Sequence, residues 1–251
     1  MNGLKELLAR QQPVMGAFLS EVPLPNLLRV MKAGGLDYVI VDCEHGYFDY
    51  AQLAAVANGI GLPLIVRIPG ISREPIQKYL DAGADGLLAP MVETAQQARR
   101  LVQLAKYLPL GARGISTMRP HSEYNPGRLA DYLEKANRHT LLLVQIETAL
   151  GVANAQEIAA VEGLDALLVG PNDLAANLQT PGNFGTPQMQ AALKTVAEAA
   201  LAAQKPSGII SSNMGFLADC RRLGMSIFSC NSEVGLLHQA VKSMMQEFRA
   251  F

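Results

Sequence analysis

Residues 161–171 read VEGLDALLVGP, and this short stretch decides the fold. Gly163 closes a helical pattern, Asp165 follows two positions later, and an apolar run of strand length then ends at Gly170 and Pro171. Glycine suits the left-handed position just past a helix. A run that is apolar throughout, rather than alternating, belongs to a strand covered on both faces, as in parallel sheets. The same junction recurs in AGGLDYVI (33–40), AGADGLL (82–88) and RLGMSIF (222–228). Successive helix-to-strand returns therefore share one geometry.

Working outward, strand-like runs occupy VMGAFLS (14–20), YVIVDCE (38–44), PLIVRI (63–68) and GLLAPMV (86–92). Four more follow: LLLVQIE (141–147), ALLVGP (166–171), SGIISS (207–212) and SIFSCN (226–231). Helical patterns fill 24–34, 49–60, 73–82, 94–107, 152–161, 187–204, 214–223 and 234–248, and MNGLKELLARQQ reads as a short amphipathic helix. Eight alternating units in 251 residues predict a single α/β domain spanning 1–251, a (β/α)₈ TIM barrel. A doubly wound open sheet is the alternative. The stretch 108–140 breaks the rhythm: it is rich in Gly, Pro and Ser, with a short helix near 128–137. Its place after the fourth strand suggests an active-site lid or a subunit-contact loop on the catalytic side.

Composition narrows the function classes. Apolar residues make up 49% and charged residues 17%, with 21 basic against 22 acidic side chains and no basic stripe. Nucleic acid is therefore not an expected partner. The apolar runs fall short of a membrane span, and the N-terminus lacks the apolar region of a secretory signal. Cys43, Cys220 and Cys230 are too few and too scattered for a disulfide framework or a zinc site, which suits a reducing cytoplasm.

In a barrel of this kind, catalytic groups come from the carboxyl ends of the strands. The second run ends in Asp42, Glu44 and His45, the third in Arg67, and the fifth in Gln145 and Glu147. The sixth leads into Gly170, Pro171, Asn172 and Asp173, the seventh into Ser211, Ser212 and Asn213, and the eighth into Asn231. Ionisable groups at so many consecutive ends point to a shared site. Glu147 and Asp173 would repel unless a cation sits between them, and oxygen ligation with few protein ligands suits Mg²⁺ or Mn²⁺. The alternative is a turn-capping Asp173 and a Glu147 paired with an arginine. Arg67 needs a partner if buried; its fork suits a carboxylate or enolate oxygen, and an ion pair with Asp42 or Glu44 is compatible with that. His45 follows Asp42 by three residues, so the carboxylate could orient the imidazole as a proton acceptor, or the histidine could be structural. GPNDLAANL (170–178) resembles a helix start whose amides bind a carboxylate or phosphate. No lysine falls at a strand's carboxyl end, which argues against a Schiff base and leaves a metal as the electrophile.

In order, VDCEHG (41–46), VRIPG (66–70), LLAPMVET (87–94), ARGIS (112–116), LVQIET (143–148) and VGPNDLAANL (169–178) resemble the HpcH/HpaI family of class II pyruvate aldolases, within the phosphoenolpyruvate/pyruvate barrel superfamily. The resemblance implies reversible retro-aldol cleavage of a 4-hydroxy-2-oxo acid to pyruvate and an aldehyde. The substrate would be a 2-keto-3-deoxy sugar acid or a 4-hydroxy-2-oxoalkanedioate. It also implies that Glu147 and Asp173 ligate a divalent metal: Mg²⁺ first, Mn²⁺ or Co²⁺ next. Arg67 would bind the 2-oxo oxygen, His45 oriented by Asp42 would be the acid/base, and amides near Gly170 and Asp173 would hold the pyruvate carboxylate. Asp81 would reach the aldehyde site of a neighbouring subunit, in a hexamer whose last helix (234–248) is exchanged between subunits. ISTMRPHSEYNP (115–126) does not follow the Ala/Arg-rich version of the dicarboxylate-chain aldolases. FSCNSEV (228–234) departs too, with Asn231 and Glu233 where Gly and Asp are more usual. The alternatives are a citrate-lyase-like enzyme acting on an acyl-CoA, with Arg113, Arg119 and Arg128 as the only candidates for its phosphate groove, and a non-catalytic sensor or scaffold.

Overall fold

A computed structural model describes residues 3–10, 12–57 and 61–250. The chain opens with α1 (Gly3–Ala9), β1 (Val14–Leu19), α2 (Pro25–Ala33), β2 (Tyr38–Asp42) and α3 (Tyr50–Ala57). It continues through β3 (Leu64–Arg67), α4 (Arg73–Asp81), β4 (Gly86–Ala89), α5 (Ala95–Ala105), α6 (Leu129–His139) and β5 (Leu141–Ile146). Next come α7 (Ala149–Ala153), α8 (Ala155–Ala159), β6 (Ala166–Val169), α9 (Pro171–Asn177) and α10 (Pro187–Ala202). β7 (Ser207–Ile210), α11 (Met214–Arg222), β8 (Ile227–Ser232) and α12 (Glu233–Phe248) complete it. All eight strands pair in parallel, each with its successor, and β8 closes on β1. The expected TIM barrel is what forms. The expected helix 49–60 runs to Ala57, and 58–60 lie outside the described residues.

Strand side chains alternate between two cores, as the period of two requires. Tyr38 and Ile40 join an inner cluster with Phe18, Ile65, Leu88, Leu143 and Leu168, while Val39, Val41, Leu64 and Val66 face the helices. Leu4 and Leu8 of α1 belong to the inner cluster and plug the amino end. Tyr38 fills the barrel centre because Gly16 makes room: a Cβ there would lie 2.5 Å from its ring. Continued towards the carboxyl ends, the inward parity falls on Asp42, Arg67, Gln145 and Glu147. The ionisable groups on the inward parity of the strands therefore gather at the carboxyl mouth.

Two expectations need correction. The single helix at 152–161 is two short ones, α7 and α8, broken at Asn154, whose Nδ2 donates to the Glu93 carbonyl at 2.8 Å. The irregular segment does not follow β4 directly; α5 first carries the chain back to the amino end. There Lys106 Nζ donates to the carbonyls of Asn137 (2.7 Å) and Thr140 (2.5 Å), just ahead of β5. The segment then lies along α4, with Arg113 on Asp81, Gly114 beside Gln77, and a 3₁₀ turn at Pro120–Ser122. It runs up the barrel flank, where Arg119, Pro120 and Tyr124 line a cavity with Tyr50, Arg73 and Glu74. Among the described residues, no helix is long and apolar enough to cross a membrane.

Candidate active site

Asp42 and Arg67 are register partners on β2 and β3, both on the inward parity. Arg67 donates through Nε to Asp42 Oδ1 (3.0 Å) and through Nη2 to Asp42 Oδ2 (2.7 Å), and its Nε lies 3.3 Å from Glu44 Oε2. The guanidinium rests on the Phe18 ring, 4.9 Å from its centroid. Burial alone would raise the Asp42 carboxyl, but the hydrogen bonds and charge of Arg67 outweigh it and hold the group below the usual carboxylate range. Burial raises Glu44, against the pull of Arg67. The ion pairing anticipated for Arg67 is therefore present, with both partners at once.

His45 is placed differently from expectation. Asp42 Oδ1 accepts from the backbone amides of Glu44 (3.1 Å) and His45 (3.2 Å), not from the imidazole. The ring is 72% exposed, with Nε2 3.9 Å from Glu44 Oε2. Asp42 thus braces the turn that carries His45 and clamps Arg67, but its hydrogen bond to His45 is made to the backbone and not to the ring. The reason is positional: His45 lies past the end of β2, where strand parity no longer aims side chains.

Across the mouth, Glu147 is buried. Its Oε1 accepts from the Met91 amide at 2.7 Å, and its Oε2 from Gln145 Nε2. Met91 adopts φ +52° to present that amide, a conformation uncommon outside glycine. Burial raises the Glu147 carboxyl; the Met91 and Gln145 hydrogen bonds oppose this, while the charges of Asp173 and Glu44 add to it. Asp173 stands exposed in the first turn of α9. The mouth therefore gathers Asp42, Glu44, Glu147 and Asp173 around a single arginine, an excess of negative charge that calls for a cation. Among the described residues no three His, Cys, Asp or Glu converge as a ready metal cage. Two carboxylates completed by water and substrate oxygens fit a Mg²⁺-type site, which keeps few protein ligands.

Gly170 contributes differently from expectation. Its own amide donates to the Ile146 carbonyl at 3.2 Å, and Pro171 has no N–H. The amides of Asn172 and Asp173 are what remains for a carboxylate. The missing side chain is the contribution of Gly170: a Cβ would lie 2.7 Å from Gln145 Nε2 and 3.1 Å from Glu147 Cβ. Gln145 itself had no role assigned from sequence. It is buried beside Glu147, and its Oε1 has no partner among the described residues. The signal was available, since Gln145 shares the parity of Glu147 one step below it.

Residues 17–240 match the family described as HpcH/HpaI aldolase/citrate lyase. The chain belongs to that family. A 5-keto-4-deoxy-D-glucarate aldolase of Escherichia fergusonii is 35% identical over 255 residues, covering 99% of this chain and 97% of the relative. The HpcH/HpaI aldolase of Desulfitobacterium hafniense DCB-2 superposes with a TM-score of 0.94 at 28% identity, over 99% of this chain and 97% of that one. An HpcH/HpaI aldolase/citrate lyase family protein of Burkholderia cenocepacia J2315 gives 0.92 at 30% identity, over 99% and 100%. This HpcH/HpaI chain is a carbon–carbon lyase, a class II pyruvate aldolase rather than a binding scaffold.

Two features lie away from the mouth of this family barrel. Asp81 ends α4 at the amino side, where Arg113 Nη2 pairs with it at 2.7 Å and His121 Nε2 lies 3.6 Å away. His121 Nδ1 meets the Tyr132 hydroxyl, and Arg113 stacks on Tyr107 at 4.8 Å. Asp81 does not approach the site of its own chain. The three arginines considered for a CoA groove do not form one: Arg113 is buried against Asp81, Arg128 pairs with Asp131 on the surface, and Arg119 donates to Ser116 Oγ at 3.2 Å.

Proposed function

We propose that this chain cleaves a 2-oxo-3-deoxy sugar diacid of the keto-deoxy-glucarate type into pyruvate and a hydroxylated aldehyde acid, with a divalent metal, Mg²⁺ first, held by Glu147 and Asp173. The full-length similarity to a 5-keto-4-deoxy-D-glucarate aldolase carries the proposal, at 35% identity over 99% of the chain. In such a substrate the hydroxyl carbon loses its O–H proton and becomes the aldehyde. The electrons of the broken C–C bond pass to the pyruvate enolate, which then takes up a proton at its methylene carbon. A bound divalent metal would supply polarisation of the 2-oxo group.

The chain's own residues take the remaining roles. Asp42 and Glu44 hold Arg67 by Nε and Nη2, and Nη1 is the donor that would serve the oxo oxygen, where negative charge grows. Fixed donors at a developing oxyanion are usually the largest single contribution in such sites. The Asn172 and Asp173 amides suit the pyruvate carboxylate. His45, on its exposed turn, is the candidate to move the hydroxyl proton, directly or through one water. Asp81 would act only across a subunit contact.

A homo-oligomer is part of the proposal. Val234, Leu237, Val241, Met244 and Phe248 of α12 recur at spacings of three and four, and all stand exposed on this chain. That is the stripe a helix buries against a partner helix, and it suits the exchanged helix and the hexamer. Three free cysteines suit a reducing cytoplasm.

The test is pyruvate release from keto-deoxy-glucarate and from 4-hydroxy-2-oxo acids of other lengths. Chelator-stripped protein is assayed before and after addition of Mg²⁺, Mn²⁺ or Co²⁺. Metal-restored release, fastest with the sugar diacid, is expected. Release unaffected by chelation would overturn the metal assignment, and release only from other 4-hydroxy-2-oxo acids would overturn the substrate. Light scattering of the same preparation reads the oligomer.

A further inference from the structure

The end of β8 carries an irregularity that the cleavage reaction does not account for. Between β1 and β8 the register runs Gly16 to Ser229 and then Phe18 to Ser232, so β8 spends one residue more than β1. Asn231 within this bulge takes φ +65°. For a residue with a side chain this is an uncommon conformation that persists only when its surroundings enforce it. Its consequence is the placement of Glu233, the first residue of α12, which is buried at 6% exposure.

The Glu233 carboxylate sits in a nest of donors on the loop after β1. Oε1 accepts from the backbone amides of Ser20 (2.9 Å), Glu21 (2.6 Å) and Val22 (3.0 Å). Oε2 accepts from the Ser20 amide (2.9 Å) and the Ser20 hydroxyl (3.1 Å). Three successive amides turned on one anion form the concavity that backbone nests use to bind anions. Among the described residues no cation pairs with Glu233, so these donors alone compensate its buried charge.

Two routes lead from this latch to the reacting groups. The Ser20 carbonyl abuts the turn of residues 42–46: a Cβ on Gly46 would lie 3.1 Å from it, pressed also against the Asp42 carbonyl. That turn carries Glu44 and His45 and is braced by Asp42. Two residues before Ser20, Phe18 supports the Arg67 guanidinium.

We infer that Glu233 is a positioning residue of the aldolase site: it pins the β1–α2 loop to the root of α12 and so fixes the turn bearing His45 and the platform under Arg67. The inference rests on the aldolase reading for its kinetic half only. The experiment compares metal-loaded wild type with Glu233→Gln, Glu233→Asp and Ser20→Ala. Glu233→Gln turns an amide NH₂ towards backbone donors. Its kcat should fall by about tenfold to a hundredfold, the scale of an ångström-level misplacement, with KM within about threefold and oligomer mass unchanged. Glu233→Asp keeps the charge and should recover part of the loss. Ser20→Ala leaves the three amides in place and should stay within about threefold of wild type.

Hydrogen exchange followed by mass spectrometry reads the same latch without turnover. In Glu233→Gln the amides of 20–22 and those of 43–45 should exchange faster together. A Glu233→Gln kcat within about twofold of wild type, or faster exchange confined to 20–22, would overturn the inference. If wild type releases no pyruvate, the aldolase reading fails, and the exchange pattern alone decides whether the latch reaches the His45 turn.

Discussion

Gly170→Ala isolates the geometry of the candidate metal ligand better than removal of the ligand itself. Gly170 adopts φ −90° and ψ 94°, a conformation open to alanine, so backbone strain contributes nothing. The added methyl would sit 2.7 Å from Gln145 Nε2 and nearer still to the Glu147 carboxylate, where ordinary contact begins at about 3.4 Å. Gln145 must therefore retreat by at least 0.7 Å, and the carboxylate further, against a core where Glu147 is 2% exposed. Displacements near 1 Å at a reacting centre cost on the order of a hundredfold in rate, or about 2.7 kcal/mol of barrier. The assay is kcat/KM for pyruvate release at saturating Mg²⁺, with Mg²⁺ affinity of the stripped protein measured by calorimetry. Both should fall. Gly70→Ala is the control, because a Cβ there meets nothing within 4 Å. A Gly170→Ala enzyme within threefold of wild type in both measurements would refute the placement of the metal ligand.

Three other outcomes are expected. Glu147→Gln should lose metal-dependent turnover while the metal-free protein melts roughly 2–4 °C higher, since a buried carboxylate crowded by Asp173 and Glu44 is removed; a lower melting point in chelator would contradict the crowding. Asp42→Asn breaks a buried pair, a class of change costing about 3–5 kcal/mol, but Glu44 remains 3.3 Å from Arg67, so about 2–3 kcal/mol is expected, a drop of roughly 4–12 °C in calorimetry. No measurable drop would mean that Glu44 alone suffices. His121 faces Arg113, Arg119 and Asp81, and its imidazole is held below the ordinary range by burial first and by the Arg113 charge second. The unfolded chain therefore binds its proton first, so this contribution to stability is complete above about pH 6.5 and is lost as pH falls through the lower folded value. Melting curves of His121→Gln should be flatter over that interval, and curves parallel to wild type would remove His121 as their cause.

Much of this was legible in the sequence because it was local. Continuous apolar runs separated by glycine-closed helices identify a parallel barrel, and parity along each strand tells which residue faces inward. That parity reaches Asp42, Arg67, Gln145 and Glu147, and it stops where the strand stops. His45 lies three residues past the last inward position of β2, so no period governs its imidazole, and the expected contact with Asp42 is a backbone one. The flank segment was misplaced for a similar reason: its position depends on α5 reversing the chain, not on β4. Glu233 is visible in the sequence only as a departure from a motif, since its donors lie 211 to 213 residues away.

The charge pattern of the mouth ties these observations together. An inner core built mostly of apolar side chains gives way at the carboxyl mouth to four carboxylates and one arginine. Folding alone gives no reason to keep such an imbalance, because removing a crowded acid should stabilise the metal-free barrel. Asp42 and Glu44 are the exceptions, both paired with Arg67, and Asp42 also braces the turn behind it. Glu147 and Asp173 have no comparable cationic partner among the described residues. A divalent cation is what would make that pair favourable, and this is why the gain in melting temperature of Glu147→Gln and its loss of turnover must appear together.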